Sequence, residues 1–316
     1  DDYTASGKNV EFADIHGCLD GVNDLSDDDI HPSGAGYEKM GKFWAGVIDG
    51  YLKGETQNVT EIPTDVTEIP SEIPEVNELP IEVPTEDVEN NENDENVLKI
   101  MTIGDSITFG LAETGGYRKY LNYFLKEKGY TGIDFVGPEG DEEATFTYNG
   151  EVVTYDDNHA GYSGFTIMQQ PDSWSDDSGL YEKLISKDAI KKYQPDIVLL
   201  IIGTNDMTAN RSMEDCEKDL HTLLDYILGD LPSTSMIFIG SIPEYILYGG
   251  TPEKVANYNK TVKKVADDYT ASGKNVEFAD IHGCLDGVND LSDDDIHPSG
   301  AGYEKMGKFW ADVIDD

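Results

Sequence analysis

From residue 97 onward, short apolar runs alternate with longer stretches in which apolar residues recur every three or four positions. The runs at 97–104, 133–137, 196–203, 235–241 and 276–281 predict strands. The uninterrupted apolar stretch 197–202 suits a parallel strand buried on both faces. Helices are predicted between them. Ser212-Met213-Glu214-Asp215 has capping-box spacing and leads into Cys216, Leu220, Leu223 and Ile227 along one face. Thr251-Pro252 places proline at the first helical position, ahead of Val255, Tyr258, Val262, Val265 and Tyr269. A last helix from about residue 299 turns Tyr303, Met306, Phe309 or Trp310, and Val313 inward. Such alternation predicts an α/β fold in which a parallel sheet lies between two helical layers. Chemistry in that architecture sits beyond the carboxyl ends of the strands.

The pattern before residue 97 is different. Residues 1–50 repeat residues 267–316 at an offset of 266, differing only at Gly46/Asp312 and Gly50/Asp316. That period is a whole domain plus a spacer, so 1–50 reads as the C-terminal fragment of a preceding tandem copy, and the chain as an excerpt of a longer polypeptide. Between the copies, residues 51–96 hold 14 acidic residues against Lys53 alone, with Glu-Ile-Pro, Glu-Leu-Pro and Glu-Val-Pro recurring. Proline, like-charge repulsion and isolated apolar residues predict an extended, disordered linker there. One complete domain is expected over 97–316. The fragment can compete with 267–316 for one place in the fold, and the C-terminal copy is expected to win because its tether is shorter.

Charge narrows the function. The 316 residues carry 64 Asp and Glu against 22 Lys and Arg, a formal charge of −42. Nucleic-acid binding needs clustered Lys and Arg against phosphates, so it is excluded as an expectation. Docking on an anionic membrane is disfavoured for the same reason. Three cysteines are too few for a disulfide framework, although a Cys216–Cys284 bridge remains open.

Four motifs fall at or near predicted strand ends. Gly104-Asp105-Ser106 follows the first strand, placing a hydroxyl at the sheet mouth; a helix N-cap fits the same serine. Asp294-Asp295-Ile296-His297 supplies an imidazole and, three residues earlier, a carboxylate able to orient it; a solvated loop is the plainer alternative. Gly203-Thr204-Asn205-Asp206 offers an amide donor for an oxyanion, or a simple Asx-turn. Gly161-Tyr162-Ser163-Gly164 can present a backbone N–H, or form an ordinary glycine loop. Tyr162, Phe165 and Trp174 are candidates for a sugar platform, and His159 is a weaker candidate substrate contact.

With these blocks in this order, the sequence resembles the SGNH (GDSL-type) hydrolases: Ser106 in Gly-Asp-Ser, Gly164 in Gly-x-x-Gly-x-Thr, Asn205 in Gly-x-Asn-Asp, and Asp294 and His297 in Asp-x-x-His. Gly116-Tyr117-Arg118, the stretch 133–137, the block 159–167 and Tyr258-Asn259 look like carbohydrate esterase family 3, the acetyl xylan esterases. The acidic stretch 139–157 departs from that pattern and reads as a longer active-site loop. The resemblance implies a three-layer α/β/α sandwich with a five-stranded parallel sheet and a two-step ester hydrolysis. Ser106 would be the nucleophile, His297 the base and Asp294 its orienting acid, with the oxyanion held by Ser106, Gly164 and Asn205. It implies no cofactor and no metal, an acetylated polysaccharide as partner, and a secreted module beside neighbouring domains of a larger polypeptide.

Two further patterns fall short of a binding motif. Gly302 to Phe309 nearly fits a phosphate-binding loop, but Phe309 stands where a hydroxyl is required. The Asp-rich stretch 286–295 lacks EF-hand spacing.

Overall fold

The structure is a computed structural model that describes residues 18–20, 34–52, 97–171 and 177–315. It divides into two units, 1–87 and 88–316. In the first unit the main described element is a helix, α1 (Gly34–Leu52). It runs two residues past the end of the repeat into the expected linker, the rest of which lies outside the described residues.

The second unit is the α/β sandwich. Strand β1 (Leu98–Gly104) leads through the short helix α2 (Ser106–Phe109) into α3 (Gly116–Glu127) and β2 (Ile133–Phe135). A hairpin, β3 (Ala144–Tyr148) and β4 (Glu151–Tyr155), precedes the two-residue strand β5 (Ala160–Gly161). Helices α4 (Leu180–Ser186) and α5 (Ala189–Tyr193) come before β6 (Ile197–Ile201), which is followed by α6 (Thr204–Thr208) and α7 (Met213–Asp230). Then come β7 (Met236–Gly240), α8 (Pro252–Ala271), β8 (Val276–Ala279), α9 (Ile281–Cys284) and α10 (Gly300–Asp315). The main sheet is parallel in the order β2-β1-β6-β7-β8, and β5 adds to β1 beyond the end of β2. The sheet therefore has six strands rather than the five expected, because the β5 pairing at Ile103–Ala160 and Gly104–Gly161 is too short to leave a pattern.

Burial follows the periodicities. Val198 to Ile201 are fully buried, as a strand covered on both faces requires. Each such side chain contributes about 1.5–3 kcal/mol by leaving water. Ser212 caps α7 by accepting the Asp215 N–H at 3.0 Å, and Cys216, Leu220, Leu223 and Ile227 are all buried. Thr251 caps α8 in the same way, with Pro252 at the first turn. Cys216 and Cys284 are both free thiols, so the bridge left open by the sequence does not form.

The acidic stretch 139–157 is corrected by the structure. Most of it is not an active-site loop but the antiparallel hairpin β3–β4, turning at Asn149 (φ +52°) and Gly150 (φ +83°). Its aromatic face packs on α3: Phe146 lies 5.5 Å and Tyr148 5.7 Å from Tyr120, ring to ring, and Tyr148 donates to Glu304 of α10 at 2.7 Å.

Candidate active site

Strand order reverses between β1 and β6, and the crevice at their carboxyl ends is where such a sheet collects ligands. The β1 exit is tight. A Cβ on Gly104 would lie 2.0 Å from the Ile201 carbonyl oxygen of β6, so only glycine lets the two strand ends approach this closely. Asp105 then caps α2, its Oδ1 accepting the Ile107 N–H at 3.0 Å, which turns Ser106 toward the mouth of the sheet.

The partner of Ser106 arrives from the other end of the chain. After β8, the segment leading to α10 is closed by a bridge between Leu291 and Pro298 and by the Ser292 N–H on the His297 carbonyl at 2.8 Å. From the loop after β7, the N–H groups of Ile246 and Leu247 donate to the Asp295 carbonyl. Asp294 Oδ1 accepts two successive backbone N–H groups, Ile296 at 3.0 Å and His297 at 2.9 Å, leaving Oδ2 for His297 Nδ1 at 2.7 Å. His297 Nε2 stands 2.8 Å from Ser106 Oγ. Ser106 and His297 are both buried.

Electrostatics sets the protonation of this row. Burial pushes Asp294 upward, but the His297 backbone N–H, the His297 ring and the Ile296 N–H outweigh it and hold the carboxyl down at about 2. An ionised Asp294 keeps the ring proton on Nδ1, so Nε2 presents its lone pair to the Ser106 hydroxyl. This arrangement can draw a proton from Ser106 as its oxygen attacks a carbonyl, and return it to a leaving group.

The glycine loop is pinned to the β6 exit at two points. Asn205 Nδ2 donates to the Phe165 carbonyl at 2.9 Å, and the Ile167 N–H donates to Asp206 Oδ2 at 3.0 Å. An amide nitrogen has two N–H groups, so Asn205 keeps a second donor. Gly164, with φ +80°, immediately precedes the first of these anchors.

Family membership is decided by this set of blocks taken along the whole domain. A family profile described as GDSL-like Lipase/Acylhydrolase matches residues 100–310. The chain belongs to that family. With the family comes its reaction class, carboxylic ester hydrolysis. The chain is 51% identical over 222 residues to a multidomain esterase of Ruminococcus flavefaciens, a match covering 69% of this chain and 28% of that protein. It is 27% identical over 122 residues to a putative endoglucanase X of Acetivibrio thermocellus, covering 38% of this chain and 50% of the relative. The chain thus spans between about a quarter and a half of the length of these relatives. Among solved structures it resembles a Clostridium thermocellum family 3 carbohydrate esterase at 28% identity and a TM-score of 0.54, covering 69% of this chain and 96% of that one. A family 3 carbohydrate esterase from Talaromyces cellulolyticus, 20% identical with a TM-score of 0.55, shares the fold.

The substrate-contact expectations fare differently from the serine, histidine and aspartate. His159 is buried, its Nδ1 accepts the Gly161 N–H at 3.0 Å, and its ring meets Phe109 edge-on. Burial, helped by the Arg118 charge, pushes its pKa down to about 3, so the ring is neutral and supports the glycine loop rather than facing a substrate. Tyr162 and Phe165 are not an open platform. They stack on each other at 5.1 Å and are both buried, lining a cavity of about 450 Å³ with Phe109, Glu139, Ser163 and Lys183. Trp174 lies outside the described residues.

Two positioning residues fall inside motif blocks that do not by themselves reveal their roles. Arg118 is fully buried, donating to the Thr108 carbonyl behind Ser106 and to Asp157 at 2.6 Å. Asp206 takes both the Ile167 N–H and Arg211 Nη1. The Gly-Tyr-Arg and Asn-Asp blocks contain these residues, but charge alone does not reveal which carboxylate or carbonyl a buried arginine will meet. In the Asp-rich stretch, Asp290 is buried with Lys305 2.7 Å from both of its oxygens, while Asp294 holds His297.

Proposed function

We propose that residues 97–316 act as a serine esterase that removes O-acetyl groups from plant cell-wall polysaccharide, acetylated xylan first among them, through an acetyl-enzyme intermediate. The observation that carries this reading is the 2.8 Å contact between His297 Nε2 and Ser106 Oγ, with Asp294 on the far nitrogen. Ser106 attacks the acetyl carbonyl and its proton passes to His297. Asp294 stabilises the imidazolium without taking the proton. The developing oxyanion is held by the backbone N–H groups of Ser106 and Gly164 and by the second N–H of Asn205, each such donor being worth about 3 kcal/mol of the barrier. His297 then protonates the departing sugar oxygen, and water enters by the reverse route to release acetate. The likeness to a family 3 carbohydrate esterase supports the substrate class. We place the protein outside the cell, as one module of a longer polypeptide, on the strength of the duplicated segment and the acidic proline-rich stretch.

Hydrolysis of p-nitrophenyl acetate tests the chemistry. Ser106→Ala is expected to lower kcat by about 10⁴-fold or more. Equal rates in parent and variant would refute the esterase reading. Acetate release from acetylated xylan exceeding that from acetylated pectin is the expected outcome for substrate choice, and the reverse order moves the assignment to pectin.

A further inference from the structure

The cavity of about 450 Å³ is walled by two segments that also carry site residues. One wall is Phe109, at the end of α2, one helical turn or about 5 Å along the axis from Ser106. Another is the glycine loop from Gly161 to Ser163, whose next residue is Gly164, the proposed oxyanion donor. The two walls touch backbone to backbone. A Cβ on Gly161 would stand 2.6 Å from the Phe109 nitrogen and 2.8 Å from the Thr108 carbonyl carbon.

The lining joins an exposed aromatic ring to two ion pairs. Phe109 is 45% exposed, and the buried His159 ring meets it edge-on at 5.8 Å. Lys183 Nζ donates to Asp177 at 2.6 Å and stands 5.7 Å and 5.8 Å from the centres of the Tyr162 and Phe165 rings. Lys187 lies 3.6 Å from Glu139. Two cations thus balance two anions here, in a chain whose formal charge is −42. An ammonium has three N–H groups and a carboxylate about four lone-pair sites, so each group keeps hydrogen-bonding capacity beyond its ionic partner. Sugar hydroxyls both donate and accept, and they match such a mixed set. The polarised C–H face of a pyranose matches the negative face of an aromatic ring. A uronate would instead set its own charge against Glu139 and Asp177.

We propose that this cavity is a subsite for a neutral pyranose of the polysaccharide backbone, the ring next to the acetylated one, with Phe109 as its stacking platform. This deepens the substrate reading given above and rests on it. The platform role that the sequence suggested for Tyr162 and Phe165 passes to Phe109, because those two rings are buried against each other while Phe109 is open to solvent.

The full chain carrying Ser106→Ala, in which turnover is removed, tests this by isothermal titration calorimetry with unacetylated xylohexaose. Adding Phe109→Ala is expected to weaken binding about tenfold. Phe109→Tyr restores an aromatic face and is expected to bring affinity back to within about twofold, a rescue that loss of local structure would not follow. Unchanged affinity in a folded Phe109→Ala chain overturns the proposal. Should that variant fail to fold, Phe109→Leu keeps the bulk without the aromatic ring and decides. A loss of about threefold or more is expected there, and undiminished affinity overturns the proposal. Trigalacturonate is expected to bind about tenfold more weakly than xylotriose, and equal or tighter binding overturns the assignment to a neutral sugar. Absence of hexaose binding overturns the subsite as well. Acetate release from acetylated xylan by the unaltered chain then shows whether the substrate reading survives, so the two fail separately.

Discussion

Helices α1 and α10 share nearly every residue, and both form. Their helicity is therefore written locally, in residues that form a helix wherever they stand. Burial is not. In α10 the tyrosine and tryptophan disappear into a core made by α3, and Glu304 receives the Tyr148 hydroxyl. In α1 the counterpart Glu38 pairs with its own neighbour, Lys42, four residues on. Among the described residues, one sequence thus forms the same helix twice and buries its tyrosine and tryptophan once.

The sharpest way to break this comparison is to truncate the same side chain in both helices. Trp310→Ala should cost about 3–5 kcal/mol by opening a cavity at α3. Trp44→Ala should change stability of the esterase domain by less than about 0.5 kcal/mol. Urea melts followed by far-UV circular dichroism read both, and equal losses would mean α1 is also part of that domain's core. The glycines should give opposite signs. Gly307→Ala drives a methyl into the α3 backbone and should cost about 1–3 kcal/mol, whereas Gly41→Ala should raise the stability of α1 by about 1 kcal/mol through helix propensity. Amide hydrogen exchange along each helix separates the two effects.

A finer contrast of the same kind lies beside the nucleophile. Asp294 and Asp105 are chemically one group in two environments. Asp294, held down at about 2 by donated hydrogen bonds, favours the fold above the ordinary aspartate value of 3.8, and this contribution is lost as pH falls through 2. Asp105 is fully buried with Oδ2 unpartnered, and burial, aided by the nearby Asp206 charge, pushes it up to about 7. Its contribution is present below 3.8 and is lost as pH rises through 7. Asp105→Asn cannot ionise, so its stability relative to the parent should improve between about pH 4 and about pH 8, measured by denaturation at both. A constant difference would show that Asp105 ionises freely in the fold.

How far the sequence could be read depended on whether a feature was local. The caps at Ser212 and Thr251, the strand at 197–201 and the apolar faces of α7 and α8 follow from neighbours a few positions apart, and they stand where the periodicities put them. The hairpin was legible too. Asn149-Gly150 between alternating residues is a two-residue turn signal, and the acidic residues around it masked it. No local signal announced that His159, Tyr162 and Phe165 would be buried, because their partners Phe109, Lys183 and Arg118 come from other segments.

The sequence alone determined the long helices, the five expected strands, the parallel class of the sheet and the chemistry on offer at each strand end, since these rest on dihedral preference, periodicity and short-range hydrogen bonds. Only the tertiary structure decided which of two near-identical helices is buried, and which aromatic residues line the cleft or hold its wall. It also brought residues 191 positions apart to 2.8 Å in the Ser106–His297 contact. Those outcomes depend on what the sheet order and close packing bring alongside each residue, and that neighbourhood is not contained in any stretch of chain read by itself.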